Sequence, residues 1–140
     1  MNSKGNQFIW PVRVYYEDTD SGGVVYYANY LKFMERARTE WLRSIGYEQD
    51  RLLEQDGIIF AVRSVEVGYH QPARFNDALE VSASLSGKGR ASLTFRQEVR
   101  RQTDSQLLCS GEIKIACVDM KRMRPTPIPT GLLSEIPDVD

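Results

Sequence analysis

The residues best equipped for chemistry lie in one segment. Tyr15 to Tyr30, YYEDTDSGGVVYYANY, carries three acids, two glycines and five tyrosines. An aspartate carboxylate is ionised at neutral pH, so it can attack an electrophilic carbonyl or activate a water molecule. Such a reaction also needs donors for the oxyanion that develops, and the free N–H groups and positive dipole end of a helix supply them. Plainer roles exist for each residue alone: Asp and Gly build loops, Asp18 or Asp20 can bond loop amides, and tyrosines fill cores. Taken singly, the residues do not decide between the two.

The elements around the segment fit the chemical reading. Ile9 to Tyr16 is rich in β-branched and aromatic residues and reads as a strand running into a polar, glycine-bearing loop, Glu17 to Gly23. From Asn29 the apolar residues Tyr30, Met34, Ala37, Trp41 and Ile45 recur at three- and four-residue intervals, which predicts a helix. Asn29 is the candidate N-cap and Gly46 the candidate stop, about 24 Å apart at helical rise. A short polar helix, Glu48 to Asp56, is expected before Gly57. Four strands follow, Ile58–Tyr69, Leu79–Leu85, Ser92–Arg100 and Leu107–Asp119, and apolar alternation such as Leu93, Phe95, Val99 gives each one dry face. The closing segment RPTPIPTGLLSEIPDVD holds four of the six prolines and is expected to lie extended or irregular on the surface. One amphipathic helix followed by an antiparallel meander is an α+β pattern, the helix burying its stripe against the sheet.

Bulk properties narrow the function classes. With 140 residues the chain fits one domain, 1–140, and 41% hydrophobic with 26% charged content is ordinary for a globular protein. A net charge of −1 gives no basic footprint for nucleic acid. No apolar run reaches the roughly 18 residues that span a bilayer, and the start MNSKGNQF lacks the apolar core of a signal peptide. Cys109 and Cys117 would sit about 26 Å apart along one strand, too far to bridge, and two free thiols fit a reducing compartment. A cytoplasmic protein is expected. There is a single histidine, His70, no cluster at metal-ligand spacing and no G-x-S-x-G elbow.

Taken as a pattern, Asp18-x-Asp20-x-x-Gly23-x-Val25-Tyr26-Tyr27-x-Asn29-Tyr30 resembles the signature of the hotdog-fold acyl-CoA thioesterases, notably the 4-hydroxybenzoyl-CoA thioesterases and the Tol-Pal-associated thioesterases. The likeness continues through ERARTEWLR (Glu35 to Arg43), Tyr69…Pro72-Ala73…Asp77 and Arg124-Pro125…Ile128-Pro129, nearly the whole chain. It implies a five-stranded antiparallel sheet wrapped around one long central helix. It also implies that Asp20 is the catalytic carboxylate of a thioester hydrolase and Asp18 a structural residue. Seven positions on, the Tol-Pal-associated branch often has His and the hydroxybenzoyl branch Tyr; here Tyr27 departs from the first branch, so a phenol would orient the substrate or bond its carbonyl. Tyr16 matches a tyrosine of the Tol-Pal-associated pattern. Gly23, Val25, Tyr26 and Asn29 complete the expected substrate contacts, and no separate cofactor is implied, since coenzyme A is part of the substrate.

The chemistry suits so small a machinery. A thioester carbonyl is electrophilic and its thiolate leaves readily, so one carboxylate and the helix amides near Tyr27 to Leu31 suffice, with Gly22 and Gly23 letting backbone approach the substrate. Coenzyme A phosphates call for cations and hydrogen-bond donors, and Lys88, Arg90 and Ser92 with Arg124 are the candidates. The open edges of a five-stranded sheet and the resemblance both imply a homodimer or homotetramer, and acyl carrier protein is a possible partner. Two other readings stay open: a hotdog hydratase or dehydratase, which usually pairs a histidine with an acid, and a non-catalytic acyl-thioester binding scaffold.

Overall fold

A computed structural model describes residues 7–139. Its elements are β1 (Phe8–Arg13), α1 (Asn29–Ser44), α2 (Gln49–Asp56), β2 (Ile58–Tyr69), β3 (Ala78–Lys88), β4 (Ser92–Arg101), β5 (Leu107–Asp119), β6 (Arg124–Pro125) and α3 (Thr130–Glu135). The sheet is antiparallel throughout in the order β1-β3-β4-β5-β2, the five-stranded path expected, with β6 a two-residue addition on β5. α1 lies across β1, β3 and β4. This is the hotdog arrangement.

Side-chain periodicity builds it. α1 buries Tyr30, Phe33, Met34, Ala37, Trp41 and Leu42, and β3 answers with Leu79, Val81, Ala83 and Leu85 on one face. Phe33, Met34 and Ala37 have no exposed surface, and Trp41 meets Phe95 of β4 edge-on at 5.0 Å between ring centroids. Each large apolar side chain so buried contributes about 1.5–3 kcal/mol. Two strands could not approach without a glycine: a Cβ on Gly111 would stand 2.9 Å from Val67 Cγ2 and 3.1 Å from Glu66 O.

One core position is polar. Gln97 lies on the dry face of β4 with no exposure. Its Nε2 donates to Met34 O of α1 and Ser82 O of β3, both at 3.1 Å, while its Oε1 accepts from Arg38 Nη1 at 2.9 Å. This amide bolts the helix to the sheet and leaves none of its own polar atoms unpaired.

Several local expectations need correction. The first strand stops at Arg13, because Tyr16–Asp18 turns into a 3₁₀ segment whose Asp18 carboxylate accepts the Tyr15 N–H at 2.8 Å. Ala28, not Asn29, precedes the helix, and Asn29 is its first residue. The proline-rich tail is not merely a surface strap: Ile128, Leu132 and Ile136 are 2%, 1% and 3% exposed, and the turn between them is α3. At the opposite edge β2 leaves its outer ladder open, with Val62 and Val65 about half exposed.

Replacing Gln97 by Leu keeps volume but strands the Ser82 carbonyl and the half-buried Arg38 head group. A loss of roughly 2–4 kcal/mol is expected in urea unfolding, and a change under about 0.5 kcal/mol would show the bolt to be dispensable.

Candidate active site

The segment before α1 is held by its own backbone. Asp18 is the hub: besides its bond to Tyr15, its carbonyl accepts the Tyr26 N–H at 3.0 Å and Asn29 Nδ2 at 2.9 Å. One oxygen of its carboxylate, Oδ2, holds the Tyr15 amide, and the residue is less exposed than Asp20. Asn29 ties the loop to the start of α1 through its bond to the Asp18 carbonyl. Val25 donates to Ala73 O at 2.8 Å, and the Ala73 N–H returns a bond to the Tyr30 hydroxyl at 2.9 Å. Val25 is 5% exposed, so its expected contact with substrate is not available; it anchors the loop.

The anchor is itself clamped. Asp77 Oδ2 accepts from the Arg74 N–H at 2.9 Å and from Arg101 Nε at 3.2 Å, while Arg101 Nη2 reaches Pro72 O at 3.0 Å. The hydrogen bond to Asp77 raises the pKa of the Arg101 guanidinium, with Asp104 adding to it. Pro72, Ala73 and Asp77 thus serve to position the Asp20 loop.

Asp20 stands at the tip. Its N–H donates to Val24 O at 2.9 Å and its carbonyl accepts the Gly23 N–H at 3.0 Å, a tight turn that sets Gly23 at φ +79°. Oδ1 accepts the Gly22 N–H at 2.8 Å. Oδ2 has no partner among the described residues, and the residue is exposed. One oxygen fixes the rotamer and the other is free.

Helix-end donors are fewer than expected. The amides of Asn29, Tyr30 and Leu31 bond back to the carbonyls of Tyr26, Tyr27 and Ala28 at 2.8, 3.3 and 3.2 Å. Those of Tyr27 and Ala28 have no partner among the described residues, so only these two can receive an oxyanion.

Aromatic rings wall this end. Tyr26 and Tyr27 lie 4.8 Å apart, Tyr27 meets Tyr69 edge-on at 5.8 Å, and Tyr69 is 5.7 Å from Tyr30. The hydrogen bond and charge of Tyr27 raise the pKa of Tyr26, and burial raises those of Tyr30 and Tyr69. These three phenols are thereby kept protonated. Tyr16 turns its ring edge-on to Phe75 at 5.6 Å. His70 pairs with Ser110 Oγ at 2.8 Å. Among the described residues no group of three or more His, Cys, Asp or Glu could hold a metal ion, and no helix is long and apolar enough to cross a membrane.

The expected phosphate contacts are not brought to Asp20 within one chain. Lys88 ends β3, Ser92 begins β4 and Arg124 follows β5, all at the end where β2 begins at Ile58. The Asp20 loop sits by Ala73, beyond the other end of β2, and twelve strand residues span roughly 36 Å. Lys88 is further withdrawn: its Nζ donates to Ile136 O at 2.8 Å and pairs with Asp138 at 3.2 Å. Arg90 and Arg124 are exposed, and their side chains have no partner among the described residues.

A curled antiparallel sheet around one long helix defines the hotdog class of fold. This chain belongs to the thioesterase-like superfamily, whose family model matches residues 14–136. The acyl-CoA thioesterase YbgC of Haemophilus influenzae is 44% identical over 124 residues, 89% of this chain and 90% of that protein. The acyl-CoA thioester hydrolase YbgC of Escherichia coli is 43% identical over 128 residues, 91% of this chain and 94% of that protein. The 4-hydroxybenzoyl CoA thioesterase from Pseudomonas sp. strain CBS-3 shares the fold, with a TM-score of 0.85 at 22% identity over 94% of this chain and 99% of that one.

The two cysteines are free and buried, and burial pushes the Cys109 thiol up to about 12 and, with the charge of Asp56, the Cys117 thiol to about 11. Thiolate is the reactive form, so at pH 8 the folded protein should release less than about a tenth of an equivalent in a disulfide-exchange assay, and both thiols after unfolding. Rapid labelling of the folded protein would contradict this burial.

Proposed function

We propose that this protein hydrolyses the thioester of small acyl-CoAs, short-chain or aromatic, to a free acid and coenzyme A. The observation that carries the reading is the unpartnered Oδ2 of exposed Asp20 on the loop that delivers the free amides of Tyr27 and Ala28. The named activity of the relatives supports it.

In the nucleophilic route Asp20 attacks the carbonyl carbon, the oxyanion collects the two amide bonds, and the C–S bond breaks to release coenzyme A thiolate. Water then cleaves the mixed anhydride and restores the carboxylate. In the general-base route Asp20 takes a proton from water, which attacks the same carbon. The Tyr27 hydroxyl orients the acyl group in either route, and Gly23 keeps the approach open.

The site is completed by a second copy. Antiparallel pairing of two β2 edges sets the start of one strand beside the end of the other, so the partner's Arg90 and Arg124 come to the Asp20 end. The distance between these groups within one chain and the open ladder of β2 support that assembly, whether it stops at a dimer or builds a tetramer. A cytoplasmic location accords with the two free thiols.

Hydrolysis is read by release of free thiol from a panel of acyl-CoAs, which neither hydration nor simple binding produces. Asp20→Asn is expected to lower turnover at least about a hundredfold with the fold unchanged by circular dichroism. Turnover within a few-fold of the parent would remove Asp20 from the mechanism.

A further inference from the structure

The two halves of the proposed site meet at one residue. The Ala73 N–H donates to the Tyr30 hydroxyl at 2.9 Å, and the Ala73 carbonyl accepts the Val25 N–H at 2.8 Å. Tyr30 lies in the first turn of α1, directly after Tyr27 and Ala28 with their free amides and Asn29. Val25 closes the turn that presents Asp20, since its neighbour Val24 accepts the Asp20 N–H at 2.9 Å and bridges Arg74. One bond of Ala73 therefore belongs to the amides and the other to the carboxylate. Ala73, Tyr30 and Val25 are all buried, so water has no easy way to replace either bond.

The phenol is itself held in place. Tyr69 lies 5.7 Å from the Tyr30 ring, and Phe33 meets it edge-on at 6.1 Å. Burial raises its pKa, which keeps the acceptor of the Ala73 amide a neutral hydroxyl. Behind Ala73, Arg101 grips the Pro72 carbonyl and the Asp77 carboxylate.

A buried hydroxyl so placed does not reach the substrate; it fixes a distance. Carboxylate and amides must meet one thioester together, the first about 3–3.5 Å from its carbon and the second about 3 Å from its oxygen, and a displacement of about 1 Å costs on the order of a hundredfold in rate. Building on the thioester reading, we infer that Tyr30 is a positioning residue of the hydrolysis, its hydroxyl setting through Ala73 the spacing between the Asp20 carboxylate and the Tyr27 and Ala28 amides. The Asp18 carbonyl also ties this loop to Tyr26 and Asn29, so loss of the phenol oxygen loosens the site without releasing it.

Tyr30→Phe keeps the ring and its packing and deletes only that oxygen. Measured well below the melting temperature, kcat is expected to fall about tenfold with KM unchanged. Added to Asp20→Asn, the same substitution should alter the residual rate less than about twofold, because no carboxylate is left to be spaced. Leu132→Ala, a cavity in buried α3, lowers stability without touching the site and should leave kcat within about twofold of the parent. Proton–nitrogen correlation spectra need no turnover: in Tyr30→Phe the amide of Gly22, bonded to Asp20, should move together with those of Tyr27 and Ala28. A kcat within twofold of the parent, a tenfold loss that persists beside Asp20→Asn, an equal loss in Leu132→Ala, or amide changes confined to the neighbours of Ala73 would each overturn the inference. If the parent releases no thiol from any acyl-CoA, the hydrolytic reading falls and the spectra decide the spacing alone: joint movement of the three amides upholds it, and an unmoved Gly22 overturns it.

Discussion

A carboxylate in a loop is useful only if the loop does not consume it. The peptide groups around Asp20 want partners, and the nearest acceptor is its own side chain. Here that demand is met elsewhere: Asp18 takes the Tyr15 amide, its carbonyl takes Tyr26 and Asn29, and Ala73 takes Val25. Only the Gly22 amide reaches the Asp20 carboxylate, which fixes one oxygen and leaves the other without a partner among the described residues. The clamp of Arg101 on Asp77 and Pro72 lies behind Ala73, so a salt bridge on the sheet rim helps to hold the Asp20 loop in place.

What the sequence disclosed follows from periodicity and punctuation. β2 and β5 begin and end where alternation and turn residues predict, and Gly57 ends α2 in the left-handed conformation that glycine tolerates. Features invisible in pattern are those set by tertiary partners. Gln97 occupies a dry-face position that alternation assigns to an apolar residue, and only the carbonyls of Met34 and Ser82 explain it. Prolines hid α3, although Ile128, Leu132 and Ile136 recur at helical spacing; the prolines only bound it. Lys88 reads as a free cation until the tail folds back on it.

The candidate site was half legible. Residue type and spacing marked Asp20, Tyr27 and the start of α1, because they lie in one continuous segment. The cations could not be placed the same way, since strand direction separates them from Asp20 by the length of the sheet. In the proposed dimer that separation gives the open edge strand its role: one copy would supply the carboxylate and helix amides, and its neighbour the phosphate contacts.

The most direct test is a crystal structure of the Asp20→Asn variant with an uncleaved acyl-CoA. The account predicts the thioester oxygen within about 3 Å of the Tyr27 and Ala28 amides, with the phosphates against Arg90 and Arg124 of a second copy. A thioester seated away from the start of α1, or a coenzyme held entirely by one chain, would contradict it.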